Sequence, residues 1–423
     1  MGGGYLGPGV LSSGASGAGT RSGQQVDLRF YAGVDGVYDS SVQPVSLDSK
    51  GNLVTINGLA GVEATVGAYG SHSWKRAMLG LDYRGSFREY NGNSTYDTID
   101  QALALGFTWQ KSRRVVFNGQ LLAGTFSNGL GSIGAISPTF TSNEVNQASS
   151  LLFDNRSSYV QGGLDVTLMQ SARTSYSFGG QGFEVWRQSS FLVGVEGYNA
   201  RGSVEHKLSK NTSVGFTYQR QHFDFPKAFG QADIDTGEFF YGTNIGRRWS
   251  LTVRAGAFHA EVSGLQSVAL SPVVAALLGQ TTSIQAFHRV DYYPSGQATL
   301  IRRFKTASLN FSYGQMVVPG NGVYLTSKSD VGDASYSYTG IHKVNIGVSG
   351  GYSSLSTLGQ GIQPYRTGYG GAGFTYSLPK SLHFVARYDY RYQAIENLIY
   401  KHTGYRATVG LNFSPGKVPL SLW

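Results

Sequence analysis

The sequence predicts an all-β chain: a single transmembrane, antiparallel, up-and-down β-barrel of about 18 strands, with about 16 as the alternative count. Short turns are expected at one end of the barrel and long loops at the other. Three observations carry this reading. Apolar and polar residues alternate in segment after segment. The composition favours strands and tight turns, with 59 Gly, 27 Tyr and 23 Phe against 11 Pro, and only 14% of residues charged. Finally, no apolar run is long enough for a helix to cross a bilayer, and the nearest one, Val268 to Leu278, is broken by Ser271 and Pro272. A sheet that crosses lipid has to close on itself, because every unpaired N–H or C=O at an edge would be stranded in hydrocarbon.

The last hairpin shows the pattern most clearly. Leu382, Phe384, Ala386, Tyr388 and Tyr390 alternate with His383, Val385, Arg387, Asp389 and Arg391. Tyr405, Ala407, Val409, Leu411 and Phe413 then alternate with Arg406, Thr408, Gly410 and Asn412. Successive side chains on a strand point to opposite faces, so each strand has a greasy face bearing aromatics and a wet one.

In chain order, Met1 to Gln24 is a Gly/Ser-rich segment that reads as flexible linker, far too short to be a globular plug. It lacks the basic-then-apolar order of a signal peptide, so a leader is expected to have been removed or the start to be mis-assigned. Residues 25–414 are assigned to the barrel and 415–423 to a tail. The first strand carries Val26, Leu28, Phe30, Ala32 and Val34 on one face and Asp27, Arg29, Tyr31, Gly33 and Asp35 on the other. Strands follow at Ala60–Ala68, Ala77–Phe87, Leu103–Trp109 and Val115–Ala123. Further strands are expected near Val160–Leu168, Tyr176–Trp186, Ala200–Leu208, Val214–Tyr218, Phe239–Ile245 and Leu251–Ala257, with one placed loosely between Phe191 and Tyr198. The rest lie near Ala298–Leu300, Ala307–Tyr313, Tyr324–Tyr338, Val344–Tyr352 and Ala372–Leu378, ahead of the last hairpin.

The short connections are consistently basic: Lys75-Arg76, Lys111 to Arg114, Arg173, Lys207 to Lys210, Arg247-Arg248, Arg302 to Lys305, His342-Lys343 and Lys380. Much of the net charge of +9 therefore lies at one rim. Two explanations stand side by side: solvated turn residues, or a cationic collar facing phospholipid phosphates. Charge spread around a ring, not gathered into a patch, argues against a nucleic-acid partner.

These features resemble bacterial outer-membrane porins over roughly Val26 to Phe413, and the last strand is similar to the insertion signal of that class. The chain departs from it by continuing from Ser414 to Trp423, so either Phe413 or Trp423 is the signal terminus. The resemblance implies an outer-membrane location in a Gram-negative bacterium, with membrane lipids, small hydrophilic solutes and the barrel-assembly machinery as partners. A homo-oligomer is compatible with it.

The expected pore lining is Arg29, Arg84, Arg88, Arg254, Arg387, Arg391 and Arg406, with Asp35, Asp82 and Asp389 as partners of opposite sign. Either these residues pair into a stiff wall, or unpaired arginines concentrate anions at a constriction. Tyr31, Phe126 and Phe258 are expected to face the lumen as sugar-stacking surfaces or as filler. Two long loops stand out. Ser127 to Arg156, with Glu144, Asp154, Phe140 and Phe153, is the candidate constriction loop. Val262 to Thr282 includes a capped short helix at Ser271 to Gly279 that would cover or plug the mouth.

Zero Cys excludes disulfides, thiolate metal sites and attached haem. No Gly-x-Ser-x-Gly elbow or His-Glu-x-x-His helix occurs, and the eight His are scattered. No catalytic residue, metal or cofactor is assigned, and a rim hydrolase for lipid or peptide remains only as a minor alternative. The function expected is passive diffusion of small hydrophilic solutes, with anions as the candidate preference. The alternatives are a dedicated channel for oligosaccharide or polysaccharide, in either direction, and a closed structural or scaffold barrel.

Overall fold

The computed structural model describes residues 25–40, 46–47, 53–54, 58–91, 97–126, 156–189, 192–269, 281–320, 322–359, 362–396 and 401–414. Eighteen strands form one closed antiparallel sheet. They are β1 (Gln25–Asp39), β4 (Leu59–Ser73), β5 (Ala77–Tyr90), β6 (Thr98–Gln110), β7 (Val115–Phe126), β8 (Ser157–Met169), β9 (Thr174–Arg187), β10 (Val195–Lys207) and β11 (Thr212–Phe225). The ring continues with β12 (Gly230–Ile245), β13 (Trp249–Ala269), β14 (Thr282–Arg303), β15 (Ala307–Val318), β16 (Ser327–Ile341), β17 (Val344–Thr357), β18 (Tyr365–Ser377), β19 (Leu382–Ile395) and β20 (Lys401–Phe413). Two further strands, β2 (Ser46–Leu47) and β3 (Leu53–Val54), pair only with each other between β1 and β4. Each barrel strand pairs with its predecessor in sequence, and β1 closes the ring by pairing with both β4 and β20.

Alternation sets which side of the wall each residue occupies. On β1, Phe30 and Val34 are 58% and 59% exposed, whereas Tyr31 and Val37 between and beyond them are 7% and 3% exposed. The exposed set on the other strands is likewise apolar: Val62, Val66, Leu79, Leu164, Val348, Val409 and Leu411. A soluble barrel would not leave this much Leu, Val and Phe in water, whereas a bilayer accepts it. Rings flank the band. Trp74, Trp109 and Tyr376 lie outward near the short turns, and Tyr38, Tyr388 and Tyr405 lie outward nearer the long loops. Tyr405 stacks against both Tyr38, at 5.8 Å between centroids, and Tyr388, at 6.1 Å. Above this upper belt β11 and β12 turn polar on the outside, where Arg220 lies 3.6 Å from Asp233 and 3.7 Å from Asp235. The strands there rise past lipid into water.

The structure corrects three boundaries. The separate strand expected between Phe191 and Tyr198 does not exist, because its residues from Val195 onward are the upper half of β10. The long loop expected over Val262 to Thr282 shrinks to 270–281, since β13 and β14 continue as a ladder up to Ala269↔Thr282. The strand expected from Tyr324 begins only at Ser327, and the residues before it leave the wall. The capped helix expected at Ser271 to Gly279 lies outside the described residues.

Candidate pore lumen

The inward face divides into arcs of different chemistry. The first spans β19, β20, β1, β4, β5 and β6 and is ionic. On β5, Arg84 grips Asp82 two residues away through Nε–Oδ1 at 3.0 Å and Nη2–Oδ2 at 2.8 Å. On β19, Arg387 does the same to Asp389, with Nη2–Oδ1 and Nε–Oδ2 both at 2.7 Å. Residues i and i+2 share a face, so the strand itself positions both partners. Glu63 on β4 takes two cations: Arg88 Nη2 from β5 donates to Oε1 at 3.0 Å, and Arg406 Nη2 from β20 donates to Oε2. Arg88 also lies 3.8 Å from Asp100 and donates to Thr98 Oγ1 at 3.3 Å. Because β1 stands between β20 and β4, the Arg406–Glu63 bond reaches over the closing strand from inside the barrel. Asp35 on β1 faces Glu63 directly across the ladder, and Arg391 is buried on the same inner face.

The second arc runs from β6 to β13 and its upper half is apolar. Leu122, Tyr159, Val185, Phe223, Ile234, Phe258 and Val262 all point inward and form one buried cluster. The inside of a wide barrel is exposed to water unless something covers it. Here two connecting segments do so. Leu192 and Val193, just before β10, turn inward, and so does Leu325 between β15 and β16. Val318 is buried, and the chain then bends at Gly320 (φ 73°) and Gly322 (φ 92°). At Gly320 a Cβ would collide with the Tyr324 carbonyl oxygen, and at Gly322 it would stand 2.7 Å from Arg187 Nε, so both positions demand glycine. Tyr324 is 1% exposed and donates its hydroxyl to the Gln363 carbonyl at 2.8 Å. Burial lifts that phenol to about 12, so it remains a neutral donor.

This strap crosses the lumen. The Val193 N–H donates to the Gly322 carbonyl at 3.0 Å, which joins the β9–β10 connection to the β15–β16 connection over the four strands β11, β12, β13 and β14. Arg187 secures the joint, with Nε donating to the Val193 carbonyl at 3.0 Å and Nη1 to Ser157 Oγ at 3.2 Å. The wall opens beside the strap between β14 and β15, while β15 stays paired with β16 as far as Val318↔Ser327. Pairing between β14 and β15 stops at Gly296↔Gln315, after which β14 pairs only with β13. Pro294 lies two residues beyond that point. A proline supplies no N–H to a ladder and is tolerated where a strand has become an edge.

Among the expected pore-lining residues, Arg84, Arg88, Arg387, Arg406, Asp82 and Asp389 are therefore brought into ion pairs on the inner face. Arg254 also faces inward, 6.0 Å from the Phe240 ring centroid, and forms no ion pair among the described residues. The side chain of Arg29 and the residues Glu144, Asp154, Phe140 and Phe153 lie outside what the structure describes. Tyr31 packs 6.2 Å from Tyr69 in the ionic arc, and Phe258 is buried 5.4 Å from Tyr293. Sequence reasoning missed Glu63, Asp100, Arg187, the pair of Arg201 and Asp165 at 2.5 Å, and the strap. Alternation already marked Glu63 as inward, between Val62 and Ala64. The run Pro319-Gly320-Asn321-Gly322 marked a turn.

No family model matches the chain, and no curated protein does. Among solved structures it is similar to OccK5 (OpdH) of Pseudomonas aeruginosa, with a TM-score of 0.41 and 10% identity over 92% of this chain and 98% of that one. It is similar to OccK2 (OpdF) of the same organism in complex with glucuronate, with a TM-score of 0.44 and 9% identity over 92% and 99%. It is also similar to OccAB3 of Acinetobacter baumannii, with a TM-score of 0.41 and 10% identity over 92% and 99%. At these scores the likeness carries no argument about chemistry, and the fold rests on this chain's own strand pairing.

Proposed function

We propose that the barrel is an outer-membrane channel for passive diffusion of small hydrophilic solutes, with anions preferred over cations. One observation carries the reading: a closed ring of strands whose outward side is apolar and whose inward side carries ion pairs along one arc, which is the construction of an aqueous path through lipid. The anion preference rests on a different set of arginines from the conspicuous ones. Arg84 and Arg387 are matched by carboxylates one step along the same strand, so they add little net field. Arg254 and Arg187 face inward with no carboxylate partner among the described residues. An uncompensated cation in a low-dielectric wall raises the local anion concentration. On this reading the partners are outer-membrane lipids and the machinery that inserts barrels.

Planar-bilayer recording tests it. The protein should give ohmic single-channel steps, and a KCl gradient should give a reversal potential on the anion-selective side. Arg254→Ala should move that potential toward cations, whereas the double change Arg387→Ala with Asp389→Ala should leave it in place. A barrel that gives no steps is a scaffold, and steps with cation selectivity dismiss the anion preference.

A further inference from the structure

Arg302 is an outward-facing arginine at the foot of β14, paired in register with Trp249 at the foot of β13. Its guanidinium carbon lies 4.7 Å from the Trp249 ring centroid and 4.4 Å from that of Phe304, so its flat face is packed against two aromatic rings. No carboxylate or other acceptor among the described residues meets its edge, and Nε is buried without a partner. Around it lie Arg248, which accepts the Arg303 N–H at 2.8 Å through its carbonyl, together with Arg303 and Lys305, all exposed. None of the turns joining β4–β5, β6–β7, β8–β9, β10–β11, β12–β13, β14–β15, β16–β17 and β18–β19 contains an acidic residue. The cations here are thus left uncompensated by protein, at the level where the lower aromatic belt meets the head groups.

We propose that the feet of β13 and β14 form a binding site for the phosphate of an anionic phospholipid, centred on Arg302. Stacking fixes the guanidinium plane and leaves the two Nη groups without a protein partner among the described residues, and they match two oxygens of one phosphate. Arg248 and Lys305 supply the remaining charge, and the neighbouring apolar band receives the acyl chains. A lipid is favoured over free phosphate because the flanking rings and the exposed Ile245 put the site at the edge of hydrocarbon, where a soluble ion gains nothing from its surroundings. The inference rests on the barrel spanning a membrane.

Native mass spectrometry of the delipidated barrel in detergent, titrated with phosphatidylglycerol and with phosphatidylethanolamine, tests the site. The expected result is retention of phosphatidylglycerol that falls about tenfold in Arg302→Gln, the weight of one hydrogen bond to a charged group. Arg302→Lys should fall part of the way, and Arg76→Gln, in the β4–β5 turn, should match the parent. Equal losses in Arg302→Gln and Arg76→Gln would overturn the site in favour of a diffuse collar. Displacement of the lipid by excess inorganic phosphate would overturn the lipid assignment. Heat-modifiable gel migration of each variant reports whether the barrel is intact. Selective lipid retention by a barrel without conductance would leave the site standing and end the channel reading, and conductance without retention would do the reverse.

Discussion

Glu63 is the residue on which the ionic arc depends. It is 9% exposed and holds Arg88 and Arg406, which are themselves 1% and 3% exposed. Replacing it by Gln keeps the shape but leaves two buried cations facing each other with one carboxylate fewer. Removing one member of a buried ionic group is strongly destabilising because the other charge stays desolvated, by about 3–5 kcal/mol. Glu63→Gln should therefore lower the temperature at which the barrel loses its compact migration on a gel, and adding Arg406→Gln should recover part of the loss. Equal melting of parent and Glu63→Gln would show that Arg88 is held by Asp100 alone. Alternation told which face Glu63, Arg88 and Arg406 share, because that depends on counting by two along one strand. It could not tell that they meet, because that depends on register between strands up to 343 positions apart in sequence. Pairs two apart on one strand, such as Arg387 with Asp389, were legible for the opposite reason.

At the scale of elements, the strap between β15 and β16 shows what periodicity leaves out. The apolar residues Val317, Val318, Val323 and Tyr324 look in sequence like strand ends around a turn, and in the structure they turn inward, Val317 joining the cluster of Phe223, Ile234 and Phe258 and the other three packing with Leu355 and Tyr365. Both readings bury the same apolar surface, so hydrophobicity alone does not choose between them. Pro294 on the neighbouring strand lies just beyond the last pair of β14 with β15 and is the sequence signal for that end. The cover is held by few polar contacts: the Val193–Gly322 bond, the Tyr324 hydroxyl and Arg187. Gly320→Ala should displace it, since a side chain at a φ of 73° is strained and its Cβ meets the Tyr324 carbonyl oxygen. The expected readout is a larger and noisier single-channel conductance with stronger anion selectivity, because the strap carries no charge of its own and its displacement uncovers Arg187. Unchanged conductance would mean that the narrowest point lies elsewhere.

For the molecule as a whole, the arcs matter more than any one residue. Ionic pairs line the wall from β19 through β1 to β6, and buried apolar side chains line the upper wall from β6 to β13 opposite them. The apolar side chains are covered by the strap, so a solute with a charged end and an apolar body can satisfy both walls only where that cover is displaced, whereas a small hydrophilic anion gains only from the charge. In Gly320→Ala benzoate should therefore linger where acetate passes and reduce the chloride current at about a tenfold lower concentration, whereas in the parent the two should block alike. That ratio follows from partial burial of one ring, since complete burial of a Phe-sized side chain is worth about 1.5–3 kcal/mol. Adding Phe258→Ser to Gly320→Ala should remove most of the difference, as Phe258 is buried in the apolar arc away from the charge pairs. Equal block by benzoate and acetate in Gly320→Ala would show that solutes pass only along the ionic wall, and that the apolar cluster does no more than anchor the strap.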